Sequence, residues 1–78
     1  MVFYNVEYNG ALLKISSDEE EMSTKRLKNH ILRNFDNITY DNLELFLKED
    51  GSTFNLDDNE LVDHSQLFIL EIDIDADF

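Results

Sequence analysis

Val2-Phe3-Tyr4-Asn5-Val6-Glu7-Tyr8-Asn9-Gly10-Ala11-Leu12-Leu13-Lys14-Ile15 holds two runs of alternating character around an Asn-Gly pair. A two-residue type I′ turn needs φ > 0 at both central residues, which Asn-Gly supplies at least steric cost. The stretch therefore reads as a β-hairpin. With that loop length, Val6 lies opposite Leu13 and Tyr4 opposite Ile15, with Val2 beside them on one apolar face. Asn5, Glu7 and Lys14 take the other face, accompanied by Phe3 and Leu12. The first face is the expected core.

Downstream, the polar stretch from Ser16 ends in Asp18-Glu19-Glu20-Glu21 and leads into a helix. Ser23 suits the N-cap, and Met22 before it is placed to pack on Leu27 as a hydrophobic staple. The acidic run sits where the positive end of a helix dipole favours it. Leu27, Ile31 and Phe35 recur every four residues as the buried stripe, and Asp36-Asn37 is the expected exit. Leu43–Lys48 alternates as a third strand, closed by Glu49-Asp50-Gly51. Thr53–Leu56 is a short edge strand. Gln66–Ile72, with its near-continuous apolar run, reads as a central strand. The order β-β-α-β-β-β gives an α+β fold, a mixed four- or five-stranded sheet packed on one helix.

Length and composition agree. A chain of 78 residues is one small domain, which buries only roughly 60–65% of its unfolded surface. It has the material for an efficient core, with 42% apolar residues, six Phe and three Tyr. Cys is absent, so disulfide frameworks and thiolate metal sites are excluded, in keeping with an intracellular, cytoplasmic or cytoskeletal setting. The longest apolar run is Leu67–Leu70, against the ~20 residues a membrane helix needs. Eighteen acidic residues against six basic ones set the net charge at −12. Such a surface repels phosphate backbones and anionic membranes; it favours basic partners or serves solubility alone.

The order and several spacings resemble ubiquitin over nearly the whole chain. Leu56, Asp58, Leu61, Ser65 and Leu67 fall in ubiquitin's spacing of like residues without a gap, and Ile69 takes the place of its next core leucine. The resemblance implies a ubiquitin-like β-grasp domain over residues 1–72, followed by an acidic tail or linker start at 73–78. Conjugated members end in Gly-Gly, whereas this sequence has no glycine after Gly51 and ends Asp73-Ile74-Asp75-Ala76-Asp77-Phe78. The expectation is a non-conjugated domain, and Met1 suggests the N-terminal module of a larger scaffold or adaptor. Leu45–Ser52, Asp57-Asp58 and Leu67–Glu71 are also similar to CIDE-N (CAD) domains. Phox-and-Bem interaction domains share the acidic Asp-Gly motif but fit less well. Some cytoskeletal scaffold proteins begin with a ubiquitin-like domain whose end reads like Leu61–Leu70.

Two surfaces are candidates for binding. If Leu45, Leu47, Leu67 and Ile69 point to the core, Phe46, Phe68 and Leu70 form an apolar patch on the opposite sheet face, where ubiquitin-like proteins bind receptors. A patch of that size marks an interaction site, unless another segment of the full-length protein covers it or the register is slipped by one residue, which exchanges the faces. The second candidate pairs a basic helix face with an acidic segment. Lys25, Arg26, Lys28 and Arg33 lie away from the buried stripe with Leu32 among them. Asp57, Asp58, Glu60 and Asp63 supply the opposite charge. Complementary patches on different faces would support head-to-tail self-assembly of the CIDE-N kind; a solvated helix face is the plainer alternative. A third reading, an acidic nucleic-acid mimic, ranks below both.

No catalytic arrangement emerges, so an enzyme is not expected. His30 falls on the helix and His64 in an acidic loop, with no Gly-framed serine elbow and no recurring metal-ligand spacing. Asp73–Asp77 opens like an EF-hand loop but lacks its glycine and later Glu. The expected role is binding another protein, through a basic or apolar docking segment, with no cofactor, metal, nucleic acid or membrane.

Overall fold

A computed structural model describes residues 1–73. The elements are β1 (Val2–Tyr8), β2 (Ala11–Ser17), β3 (Glu21–Ser23), α1 (Thr24–Leu32), β4 (Leu43–Glu49), β5 (Ser52–Asn55), β6 (Leu61–Asp63) and β7 (Leu67–Ile72), with a 3₁₀ turn at Tyr40–Asn42 before β4. Five strands form one mixed sheet in the order β2-β1-β7-β4-β5; β3 and β6 pair separately. β7 runs parallel to β1 and antiparallel to β4. This is the α+β, ubiquitin-like β-grasp architecture, with two short strands beyond those expected. The tail expected at 73–78 lies outside the described residues apart from Asp73.

The hairpin forms as read. Asn9 and Gly10 take φ of 51° and 80°, and Val6 faces Leu13 while Tyr4 faces Ile15. Tyr4, Val6 and Ile15 are buried. A second hairpin uses the same device, with Asp50 and Gly51 at φ 52° and 80° between Glu49 and Ser52.

Ser23 caps α1, its hydroxyl accepting from the Arg26 amide at 3.2 Å. Leu27 and Ile31 are fully buried, and Met22 joins them in the core. The helix stops at Leu32, short of the expected exit at Asp36-Asn37. Tight 3₁₀-type bonds close its end, from the Asn34 amide to the Ile31 carbonyl (2.9 Å) and from the Phe35 amide to the Leu32 carbonyl (3.1 Å). The Asn34 side chain takes a further carbonyl, that of His30. Such contacts satisfy the unpaired carbonyls of the last turn. Phe35 therefore reaches the core from the following loop, edge-on to Tyr8 with ring centroids 5.5 Å apart.

The overturned expectation that decides which surface faces solvent lies in β7. In β7, Phe68 and Leu70 are buried, at 0% and 2% exposure, whereas Leu67 and Ile69 lie on the outer face. The displacement begins before β7: Leu61, which falls in the ubiquitin spacing, is 66% exposed, and its neighbour Val62 is buried. From Leu61 onward the chain is shifted one residue relative to that spacing. Because side chains alternate with a period of two, a shift of one exchanges the faces. The energetic reason is visible in composition: Phe68, Leu70 and Ile72 present only apolar groups to the helix, whereas the alternative parity would bury Glu71 beside Leu67 and Ile69.

Candidate functional site

The sheet has one face against α1 and one facing away. Strand pairing places the outward side chains in two neighbouring rows. One row reads Leu12, Glu7, Ile69, Phe46, Asn55; the other reads Lys14, Asn5, Leu67, Lys48, Thr53. Phe46 and Ile69 are direct cross-strand partners on β4 and β7, and Leu67 is two residues from Ile69 on the same face. All three are half-buried, while Leu12 and Phe3 at the β2–β1 side are exposed. The centre of the face is thus an apolar strip with flanking apolar groups.

An ion pair crosses this strip. Lys48 Nζ lies 3.7 Å from Glu7 Oε2, and the two residues stand on β4 and β1 with β7 between them. Glu7 is level with Ile69 and Lys48 with Leu67, so the bridge runs diagonally over β7. Both ends are partly exposed, which limits such a pair to roughly 0–1 kcal/mol. Its consequence is geometric. The aliphatic stem of Lys48 shields apolar surface while its charge stays in water.

Of the expected patch, Phe46 keeps its place on the outer face. Phe68 and Leu70 do not reach the surface, and Leu67 and Ile69 stand in their positions. Sequence reasoning assigned those two to the core. The overlooked signal was Glu71, which shares their parity and is exposed.

The charged constellation also rearranges. Residues 57–60 are bound to the first turn of α1. The Glu60 carbonyl accepts from the Thr24 amide (2.8 Å) and hydroxyl (3.0 Å), and the Asp58 carbonyl accepts from the Lys25 amide (3.0 Å). Lys28 Nζ donates to Asp58 Oδ1 at 3.1 Å and sits 5.2 Å from the Tyr40 ring centroid. The Lys28 side chain is only 12% exposed. The basic and acidic groups expected on different faces are therefore adjacent, and their central pair is satisfied within the molecule. Arg26 is paired with Glu19. Leu32, expected among the exposed basic residues, is partly buried against the core. Lys25, Arg33, Asp57 and Glu60 remain exposed.

Hydrogen bonding and burial set the titration of this region. The Tyr40 phenol is pushed up to about 12, by burial first and then by the Asp58 carboxylate. Its hydroxyl is buried without an acceptor in hydrogen-bonding geometry, so it acts on Asp58 as a neighbouring O–H dipole rather than through a formed bond. That dipole and Lys28 hold the Asp58 carboxyl below its ordinary value. Asp63 is lowered as well, chiefly by the Ser65 hydroxyl and then by the Ser65 amide, which donates to Oδ1 at 2.8 Å. This is an Asx-type turn rather than a nucleophile and base. His64, between them in sequence, lies edge-on to Tyr4 at 6.4 Å. Among the described residues no group of three or more His, Asp or Glu side chains is arranged to hold a metal ion.

No protein-family model matches this chain, and no curated protein matches it. Among solved structures it is similar to a chain in the crystal structure of ATBAG1 in complex with HSP70. The TM-score is 0.69 at 15% sequence identity, over 94% of this chain and 41% of that one. That likeness is one of fold, and this chain spans about two fifths of the other.

Proposed function

We propose that this domain is a non-catalytic protein-interaction module of a larger intracellular scaffold or adaptor, and that it binds through the outer face of its sheet. One observation carries the reading. Phe46, Ile69 and Leu67 form a contiguous apolar strip on a chain of net charge −12, and no helix or strand among the described residues covers it. Apolar surface gathered in one place on a charged domain marks an interaction site, and aromatic anchors near an interface centre usually carry most of its energy. The fold's likeness to part of a longer chain is in keeping with a module. That neighbour's complex with HSP70 is a property of the neighbour, and the partner proposed here is defined by surface chemistry: an apolar segment with basic flanks that meet Glu7, Glu44 and Glu71.

Head-to-tail self-assembly is the weaker reading, because Lys28 and Asp58 neutralise each other within one copy. Proximity labelling in cells, comparing the natural sequence with Phe46→Ser/Ile69→Ser and with a control Asn29→Ser on α1, tests the proposal. The sheet variant is expected to lose its labelled partners while still unfolding cooperatively, at a lowered melting temperature, and the control to keep both its partners and its melting temperature. An unchanged partner set in the sheet variant would overturn the reading.

A further inference from the structure

β2 is the outermost strand on its side of the sheet. In a hairpin closed by two residues, the flanking pair Tyr8–Ala11 exchanges both hydrogen bonds, and so does every second pair after it. Val6–Leu13, Tyr4–Ile15 and Val2–Ser17 follow from the register. The amides and carbonyls of Leu12, Lys14 and Ser16 therefore point away from β1. No backbone bond to another loop or turn takes them up among the described residues.

The end of α1 makes a groove with this free edge. A concavity of about 210 Å³ is lined by Lys14, Ile15 and Ser16 from the strand and by His30, Arg33 and Asn34 from the helix side. It adjoins a second concavity over Arg26, Asn29, His30 and Arg33. No carboxylate lines either one, on a chain with three acidic residues for every basic one. Arg26 is engaged by Glu19, whereas Lys14 and Arg33 form no ion pair among the described residues. Toward Asp18 and Glu19 the groove gains two carboxylates beside Arg26 and Arg33, so its carboxylate-free stretch is short and has a defined end.

We propose that this edge receives an extended acidic segment of a partner protein, which adds to β2 as a further strand and sets its carboxylates against Lys14 and Arg33. Backbone pairing on an open edge supplies affinity in such docking, and alternate side chains supply specificity. Lys14 in mid-strand ordinarily guards an edge against unwanted pairing; an acidic strand is the kind that this guard admits. The site is separate from the outer face, since its hydrogen-bonding groups lie in the plane of the sheet.

His30 gives the docking a pH signature. Burial, then Arg33, then Arg26 hold its imidazole below the ordinary value, with Glu19 opposing them; Lys14 lines the same groove from β2. An incoming carboxylate raises that value, so docking takes up a proton and tightens as pH falls from about 7.5 to about 6.

The test is an amide-resolved NMR titration of the 78-residue chain with a capped hexapeptide of alternating Asp and Val. Comparison peptides carry Lys in place of Asp, or N-methyl groups on alternate amides. The Asp peptide is expected to shift and protect the amides of Leu12, Lys14 and Ser16. N-methylation, Lys14→Glu or Arg33→Glu should each weaken it by at least about tenfold, the loss of one or two charge-assisted or backbone bonds. Both substituted residues are exposed, and a retained spectrum checks the fold. Absence of shifts at millimolar peptide, equal binding of the Lys peptide, or association of two copies at the edge would overturn the proposal. Shifts confined to Phe46, Leu67 and Ile69 would overturn it too, while favouring the outer-face reading.

Discussion

Val6 and Phe68 lie side by side where β1 and β7 run parallel, and both are completely buried. This contact locks the parity of the central strand. Every outward residue of β7 follows from it.

The contrast between Phe68 and its neighbour is therefore a direct test of the register. Phe68→Ala should cost about 3–5 kcal/mol, the usual loss for a buried aromatic. That is a large share of the roughly 4–12 kcal/mol expected for a domain of this size. Ile69→Ala should cost under about 2 kcal/mol, because only part of its surface leaves water on folding. Urea midpoints of the two variants measure the difference, and the reverse order would restore the opposite parity.

Tyr40 offers a second test, at high pH. Its folded value is raised from 10.0 to about 12, so folding favours the protonated phenol. That contribution is fully present below the unfolded value and is lost as pH rises through the folded one. Stability should decline between pH 10 and about 12, with a late tyrosinate step in near-ultraviolet absorbance that Tyr40→Phe removes. At neutral pH the same substitution should change the melting temperature little. It deletes a buried hydroxyl that has no acceptor in hydrogen-bonding geometry, and an unsatisfied buried group costs stability; losing the dipole that favours ionised Asp58 opposes that gain.

At low pH two effects oppose each other. Asp58 and Asp63 are held below their ordinary value of 3.8, so their contribution is fully present above that value and lost as pH falls through the depressed folded values. The net charge of −12 acts the other way, since acidification relieves self-repulsion of the compact state. Thermal melts from pH 7 downward should therefore show stability rising to a maximum above pH 3.8 and falling below it. Asp63→Asn should flatten the fall, because its amide cannot lose the charge that the Ser65 hydroxyl and amide stabilise.

Much of the domain is local chemistry, and local chemistry is legible in the sequence. Asn9-Gly10 determines the first hairpin because few other pairs accept two positive φ angles cheaply. The same geometry pairs Tyr4 with Ile15 and Val6 with Leu13. Ser23 determines where α1 begins, and Leu27 and Ile31 determine the side it buries, through the period of the helix. The outward position of Phe46 follows from the alternation of Leu45 and Leu47 around it. Tertiary structure decided the rest. In Leu67-Phe68-Ile69-Leu70 both parities are apolar, so alternation alone does not choose; packing of Phe68 beside Val6 under the helix does, and it transfers the outer face to Leu67 and Ile69. Lys28 and Asp58, thirty residues apart, look like separate patches until the 57–60 loop is bound to the first turn of α1. The groove of Lys14 and Arg33 joins a strand edge to a helix end, a pairing that exists only once the sheet order has left β2 at the margin. Periodicity, which acts over a few residues, fixes elements and their faces; which elements become neighbours is set by burial across the whole chain.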